Sequence, residues 1–435
     1  MSTDKTLKKA LHSNALLMLI TRLHFYIGLF IGPFILVAAL TGTLYILTPQ
    51  IEDALYKNAL TTDSTGPSRP LSSQIAAAKE SLNKDLTLFA VRPAPKQGDT
   101  TRVMFLDATT ASGARAVFID PATLAVKGDM AVYGTSGILP FRMTLDFLHR
   151  QLLLGEFGRN YSELAASWLW IVAFGGVFLW YKGGKKNQPN VASRTPYLTT
   201  RKNHSQLGLI LFIGLFFFSA TGLTWSKWAG GNISTLRQSL GWYTPSPNTN
   251  LVNIDASKNT DILFDQVLAT ARAAGIDANK IEIKPPRKAN KAWFVREIDR
   301  SWPTQVDSVA IDPSDMKVVS RADFATFPIV AKLIRWGVDF HMGVLFGVVN
   351  QILLVFFGLG LCTMVVWGYL MWWRRRPAPG AASKPLLEAW QKLSITTKSV
   401  TLAIAIILGV SLPAMGVSLL CFLVIDCIRW KKAVH

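Results

Sequence analysis

Long apolar runs alternate with long stretches of ordinary polar sequence along this chain. Leu23–Leu47, Leu164–Tyr181, Leu207–Trp225, Val344–Trp373 and Val400–Ile428 are predominantly apolar, and a helix needs roughly 20 such residues to cross a bilayer. Each run predicts membrane-embedded helix. The polar stretches change period. Leu71–Leu82 predicts a helix with Ser72 or Ser73 as N-cap. Leu86–Val91, Arg102–Leu106 and Ala116–Ile119 alternate like strands, then enter an Asp120-Pro121 turn and resume near Leu124–Val126. Later the pattern recurs: a helix over Ile262–Ala274, strands near Lys280–Ile283, Ala292–Ile298 and Asp307–Ile311, and a turn at Asp312-Pro313. One helix on a small antiparallel meander is the simplest assembly for each.

This recurrence predicts a tandem duplication. At an offset of 192, Ile119-Asp120-Pro121 falls on Ile311-Asp312-Pro313, His149 on His341, Gly155 on Gly347, Gly176 on Gly368 and Trp180 on Trp372. At an offset of 180, His24, Gly28, Thr41 and Gly42 fall on His204, Gly208, Thr221 and Gly222. The expected fold is an α-helical integral membrane bundle of four core spans in two repeats, with two small α+β modules outside it. Its order is an N-terminus (1–20), span 21–48, module 49–148, span 149–181, loop 182–203, span 204–226, module 227–340, span 341–373 and connector 374–398. A C-terminal hairpin or single span over 399–430 closes the chain, and Pro413 with Arg429, Lys431 and Lys432 favours the hairpin. The pseudo-twofold axis should run along the membrane normal.

Charge supplies the orientation. The net charge of +19 invites a nucleic-acid reading, but six bases and no acid lie between Tyr181 and Asn203, whereas residues 49–148 hold ten of each. That is the positive-inside pattern. It predicts a bacterial cytoplasmic (inner) membrane protein with its N-terminus inside and both long polar segments in the periplasm. Arg22 and His24 follow the early apolar residues without a small-residue cleavage site, so the first span reads as uncleaved. Cys362, Cys421 and Cys427 all lie in apolar runs, which excludes a disulfide framework in the exported segments.

Ionisable groups at membrane depth are rare and mark functional sites. His24 and His204 open the outward helices near the inner face; His149 and His341 open the inward helices near the outer face. The repeat sets His24 against His204 and His149 against His341. Two facing imidazoles across a bundle make the axial pair of a six-coordinate haem, so four would hold two haems as iron ligands. Helix rise separates the pairs by roughly 20–25 Å. Gly28 and Gly208 lie one turn from their histidines, leaving room for a flat ring or for close helix packing. The absence of Cys-x-x-Cys-His excludes covalent attachment and leaves haem b. Arg22, Lys202, Arg150 and Arg159 are candidate propionate partners or plain interfacial anchors. A zinc or copper site lacks carboxylates at ligand spacing.

The motif Arg/Lys-x-His-x₃-Gly, the later Thr-Gly, the module ending in Ile-Asp-Pro and the Leu/Phe-His span closing on Trp resemble the PepSY-associated transmembrane family. The likeness is greatest to its inner-membrane siderophore reductases and covers about residues 15–376. It implies haem b on the four histidines and reduction of a ferric siderophore in the periplasm, releasing ferrous iron. The basic run Lys280–Lys291 either attracts an anionic chelate or, as is commoner for such a run, is only a solvated basic face. No dinucleotide-binding glycine motif is present, so the donor is a separate quinol or cytoplasmic reductase. The alternatives are a cytochrome b serving another periplasmic acceptor, and a haem-free transporter or sensor built from the same repeats.

Overall fold

The structure, a computed structural model, describes residues 2–134, 137–183, 195–251, 260–375 and 385–434. Helices α1 (Ser2–Phe30), α2 (Gly32–Ile46), α3 (Thr48–Leu55), α4 (Lys57–Leu60) and α5 (Leu71–Glu80) precede strands β1 (Leu88–Arg92), β2 (Thr101–Leu106), β3 (Ala114–Ile119) and β4 (Val126–Ala131). Then come α6 (Pro140–Gln151), α7 (Gly155–Gly183), α8 (Pro196–Thr224), α9 (Ala229–Ser239) and α10 (Phe264–Ala273). Strands β5 (Ile281–Lys284), β6 (Trp293–Glu297), β7 (Ser308–Ile311) and β8 (Val318–Ala322) follow, with α11 (Ile329–His341), α12 (Gly347–Arg374), α13 (Leu386–Gln391), α14 (Ile395–Ser411) and α15 (Pro413–Val434) last. Two compact units result: a helical unit of Met1–Leu44, Phe147–Gly241 and Ile352–His435, and a sheet unit of Tyr45–Asp146 and Trp242–Gln351.

Among the described residues, α7, α8, α12 and the Pro413–Lys431 part of α15 are long and apolar enough to cross a membrane. Ala15–Phe30 with Gly32–Ile46 makes a fifth, broken candidate. The chain is a multi-pass membrane protein. The first span is not the straight helix expected over 21–48; it bends by 56°. Pro33 has no N–H to give to the carbonyl four residues back, which frees the Leu29 oxygen. The Tyr369 hydroxyl donates to that oxygen at 2.7 Å, replacing the missing bond where no water is available to do so.

The C-terminal apolar stretch is a helical hairpin, α14 and α15, turning at Leu412-Pro413. Gly409 and Gly416 let its arms touch: a Cβ on Gly416 would sit 2.5 Å from the Gly409 oxygen. Trp168 of α7 donates its indole N–H to Ser418 of α15 at 2.8 Å, and Phe422 joins Ile27, Ile31, Trp168 and Leu211 in the unit's core. Asp426, buried on α15, accepts from the Leu386 and Leu387 amides at 2.8 Å each and so caps α13. Tyr26 donates to the same carboxylate at 3.2 Å.

The sheet unit departs from the expectation of two separate modules. Its eight strands form one antiparallel sheet in the order β4-β3-β2-β1-β5-β6-β7-β8, joined where β1 pairs with β5 through Val91 and Ile283. A sheet edge left open is a liability, and here each half closes the other's. The alternation in β1–β3 and β5–β7 sends Val91, Val103, Phe105, Val117, Ile281, Ile283, Trp293, Val295 and Val309 to one face, under α5 and α10. Neither Ser72 nor Ser73 caps α5. Asp265 of the opposite half does so, accepting from the Leu71 amide at 2.7 Å and the Ser72 amide at 3.2 Å. The Asp-Pro motifs form the turns they predict: Asp120 accepts from the Ala122 amide at 2.9 Å and Asp312 from the Ser314 amide at 2.8 Å. Lys185, Lys186, Arg194 and Arg376, part of the basic pattern, lie outside the described residues, as does the His12 side chain.

Candidate functional site

His24 stands well inside α1 and His204 well inside α8, not at helix starts as expected. Each places its imidazole against the backbone of another span. His24 Nδ1 lies 3.1 Å from the Val172 oxygen of α7, and His204 Nδ1 lies 3.0 Å from the Met364 oxygen of α12. Val172 and Met364 are themselves 192 residues apart. A carbonyl oxygen only accepts, so Nδ1 carries the proton in both rings and Nε2 keeps its lone pair. The His24 ring reaches this carbonyl because α7 offers no side chain beneath it: a Cβ on Gly176 would stand 3.3 Å from the imidazole Cε1, and one on Gly175 3.6 Å from Nδ1. The two imidazoles lie within electrostatic reach of each other.

His149 and His341 do not open the inward helices. They lie at the ends of the preceding helices α6 and α11. Gly155 (φ +59°) and Gly347 (φ +57°) then start α7 and α12 from left-handed conformations that a side chain would strain. Tyr161 donates to the His149 carbonyl and Ser162 to that of Arg150 at 2.8 Å, so α7 pins the end of α6. The His149 ring fills the space over Gly42, where a Cβ would approach Cε1 to 3.0 Å. Its Nδ1 is 3.1 Å from the Thr41 hydroxyl. That hydroxyl spends its proton on the Val37 carbonyl at 2.7 Å, so toward histidine it accepts. His341, half-buried, belongs to the sheet unit, and His149 to the helical unit.

The neighbours expected to meet cofactor carboxylates are mostly committed elsewhere. Arg22 donates to Glu388 at 2.7 Å and to the Pro385 carbonyl, tying α1 to α13. Arg159 bonds Glu156 at 3.4 Å and the Trp225 carbonyl at 3.2 Å, because α7 begins with that acid one turn before it. Lys202 is exposed and Arg150 half-buried. Gly28 faces open space, whereas the terminal methyl of Met364 covers Gly208, 3.1 Å from where a Cβ would be. In the basic run, Lys284 lies 3.3 Å from Glu282 and Lys291 bonds Asn250. Among the described residues, no group of three or more His, Cys, Asp and Glu gathers as a metal site.

Sequence reading missed Gly175, the carbonyls of Val172 and Met364, and Glu163. The carbonyls leave no trace in side-chain identity, although the offset of 192 relates them. Fully buried Glu163 accepts from the Trp228 amide at 2.7 Å and the Ala229 amide at 3.1 Å, capping a helix, α9, that had not been foreseen.

Comparison with known proteins bears on this arrangement. No curated protein matches the chain. The family model described as the PepSY-associated TM region matches residues 21–375, which takes in all four repeated histidines and stops short of α13–α15. The chain belongs to the PepSY-associated transmembrane family.

Proposed function

We propose that this protein carries electrons across the bacterial inner membrane on two b-type haems and reduces a ferric siderophore in the periplasm. The observation that carries the reading is the shared state of His24, His204 and His149. Each has Nδ1 directed at an oxygen, and in His24 and His204 this would leave Nε2 as the ligating nitrogen. A hydrogen bond at the far nitrogen fixes the ring and makes the ligating nitrogen more basic. An axial pair needs only two such nitrogens, so the absence of a larger donor cluster does not conflict with it.

The residues fit the group at the inner pair. His24 and His204 lie on two different helices, each ring held by a carbonyl of another span, and Gly28 leaves room one turn from His24. Met364 must swing its terminal methyl aside to open the space at Gly208. His149 and His341 are given the second haem by the repeat alone. The symmetric strand order, α5 and α10 on one sheet face, and the 192-residue offset between Val172 and Met364 support the duplication on which this assignment rests.

When bound, haem supplies a one-electron ferric/ferrous couple, while the chain's part is to hold and orient it in an apolar bundle. Net turnover takes one electron per iron from a separate quinol or cytoplasmic reductase and yields ferrous ion and free chelator. Chelators built from hard oxygen donors hold ferrous ion weakly, so reduction releases it. The test is ferrous trapping outside inverted-donor proteoliposomes, with reductant sealed inside and ferric siderophore outside. Ferrous ion should accumulate with the wild-type chain, and His341→Ala should abolish it. Equal accumulation with that variant would remove His341 from the path.

A further inference from the structure

The loop joining β6 to β7 differs from its counterpart in the other half. Asp107–Gly113, between β2 and β3, is polar and closed by its own hydroxyls: Thr109 donates to Asp107, and Thr110 donates to the Asp107 carbonyl at 2.9 Å. The loop of Ile298–Asp307 instead carries Trp302 and Pro303 and is fastened to the turn that follows α11. The Trp302 amide donates to the Leu345 carbonyl at 2.8 Å. Arg300 donates to fully buried Asp339 on α11 at 2.5 Å, and its other end meets the Met342 sulfur at 3.3 Å. The indole itself is 57% exposed. Its ring lies 5.7 Å from Trp336 and 5.9 Å from Phe346. A flexible loop could fold such a ring inward. This one is held rigid with the ring facing out.

The surroundings identify what covers it. Phe346 is 49% exposed, and Ile329 and Leu333 line one stripe of α11 at 63% and 56%. Val348 and Val349, the next residues into α12, are exposed as well. The apolar patch is therefore continuous with the lipid-facing surface of a helix that crosses the membrane. The opposite stripe of α11 holds buried Ala331 and Asp339. Asp339 is neutralised by Arg300 and Arg335, with Arg335 Nε at 3.1 Å. A helix apolar on its outer stripe, basic at its flank and ending in aromatic side chains is the pattern of an in-plane interfacial anchor.

We infer that Trp302 and α11 insert into the headgroup–acyl boundary of the bilayer, a contact for which the polar β2–β3 loop of the first half offers no aromatic side chain. The surface seats lipid, and it fixes the second half of the sheet at the membrane beside His341. This inference concerns the bilayer alone and does not depend on bound haem.

The test uses the full-length chain with Cys362, Cys421 and Cys427 replaced by serine, reconstituted in phosphatidylethanolamine–phosphatidylglycerol vesicles. An environment-sensitive fluorophore is attached at Trp302→Cys, and separately at Phe346→Cys and Ala108→Cys. Shallow spin-labelled lipid should quench the 302 and 346 labels roughly twofold or more, as expected of side chains at the interface. It should leave the 108 label unaffected, and iodide should show the reverse order. Labels at 302 and 346 that iodide quenches as freely as the one at 108, with no response to spin-labelled lipid, would overturn the inference. That outcome would assign the aromatic surface to a water-soluble ligand such as an aromatic iron chelate.

Discussion

Under the proposed pairing, replacing His24 or His204 with alanine should remove the same haem, so each single variant should hold one haem per chain and the double variant should lose no more than either. This expectation follows from shared ligation. His24 on α1 and His204 on α8 each orient the ring by giving the Nδ1 proton to a carbonyl of another span. Pyridine haemochrome assay of the three variants measures it. If losses add, with one haem gone from each single variant and two from the double, the two histidines serve different groups and the pairing is wrong. Substituting Val172 or Met364 should have little effect by comparison, because what they contribute is backbone oxygen. His24→Met offers a finer reading: methionine opposite histidine still ligates but raises the reduction potential.

The second large effect lies in the sheet unit, at the seam between its halves. Glu282 of β5 is 1% exposed. It accepts from Arg92 of β1 through Nη2 at 2.6 Å and Nε at 2.9 Å, and from Arg296 of β6 through Nη2 at 2.6 Å. Burial pushes this carboxyl up, but the two guanidinium groups and Lys284 outweigh burial and hold it at about 2. Glu282→Ala takes the carboxylate away from buried Arg92, and breaking a buried ion pair typically costs about 3–5 kcal/mol. The variant should lose thermal stability and become open to proteolysis between β1 and β5. Arg92→Met with Glu282→Leu removes both charges and should recover most of the loss. A single variant costing under about 1 kcal/mol would place the pair among weak surface bridges instead. The pH dependence has a definite sign. The folded-state value lies below the ordinary 4.5, so this stabilisation is fully present above about pH 4.5 and fades as pH falls through about 2.

The membrane spans were legible because lipid imposes a length and tolerates few charges, and both demands show in composition. Strands β1–β3 were legible from alternation because their two faces meet different surroundings. The pairing of β1 with β5 was not. It joins Val91 to Ile283, 192 residues apart in sequence, by backbone bonds, and the one side-chain clue, Arg92 with Glu282, looks ordinary in a chain this basic. Asp265 capping α5 is hidden for the same reason: the capping residue comes from the opposite half, whereas local patterns point only to Ser72 and Ser73. Pro33 did announce the break in the first span, but an uninterrupted apolar run conceals a kink unless the freed Leu29 carbonyl is followed to its new donor, Tyr369.

The four histidines illustrate both outcomes. Their repetition was readable. The helix on which His149 and His341 sit was not, because Gly155 and Gly347 registered as repeated landmarks and their role in restarting a helix from positive φ was missed. Arg22 stood at the right depth for an anion, yet Glu388, beyond the family-matched region, takes it. Helix α13 thereby fastens the helix that carries His24.

The most direct measurement is the absorption spectrum of the detergent-purified full-length chain, oxidised and then reduced with dithionite, alongside a haem count. Paired imidazole ligation at two sites predicts a Soret band, a sharp α-band on reduction and two haems per chain. A colourless protein, after expression with ample haem, would contradict the account at its root.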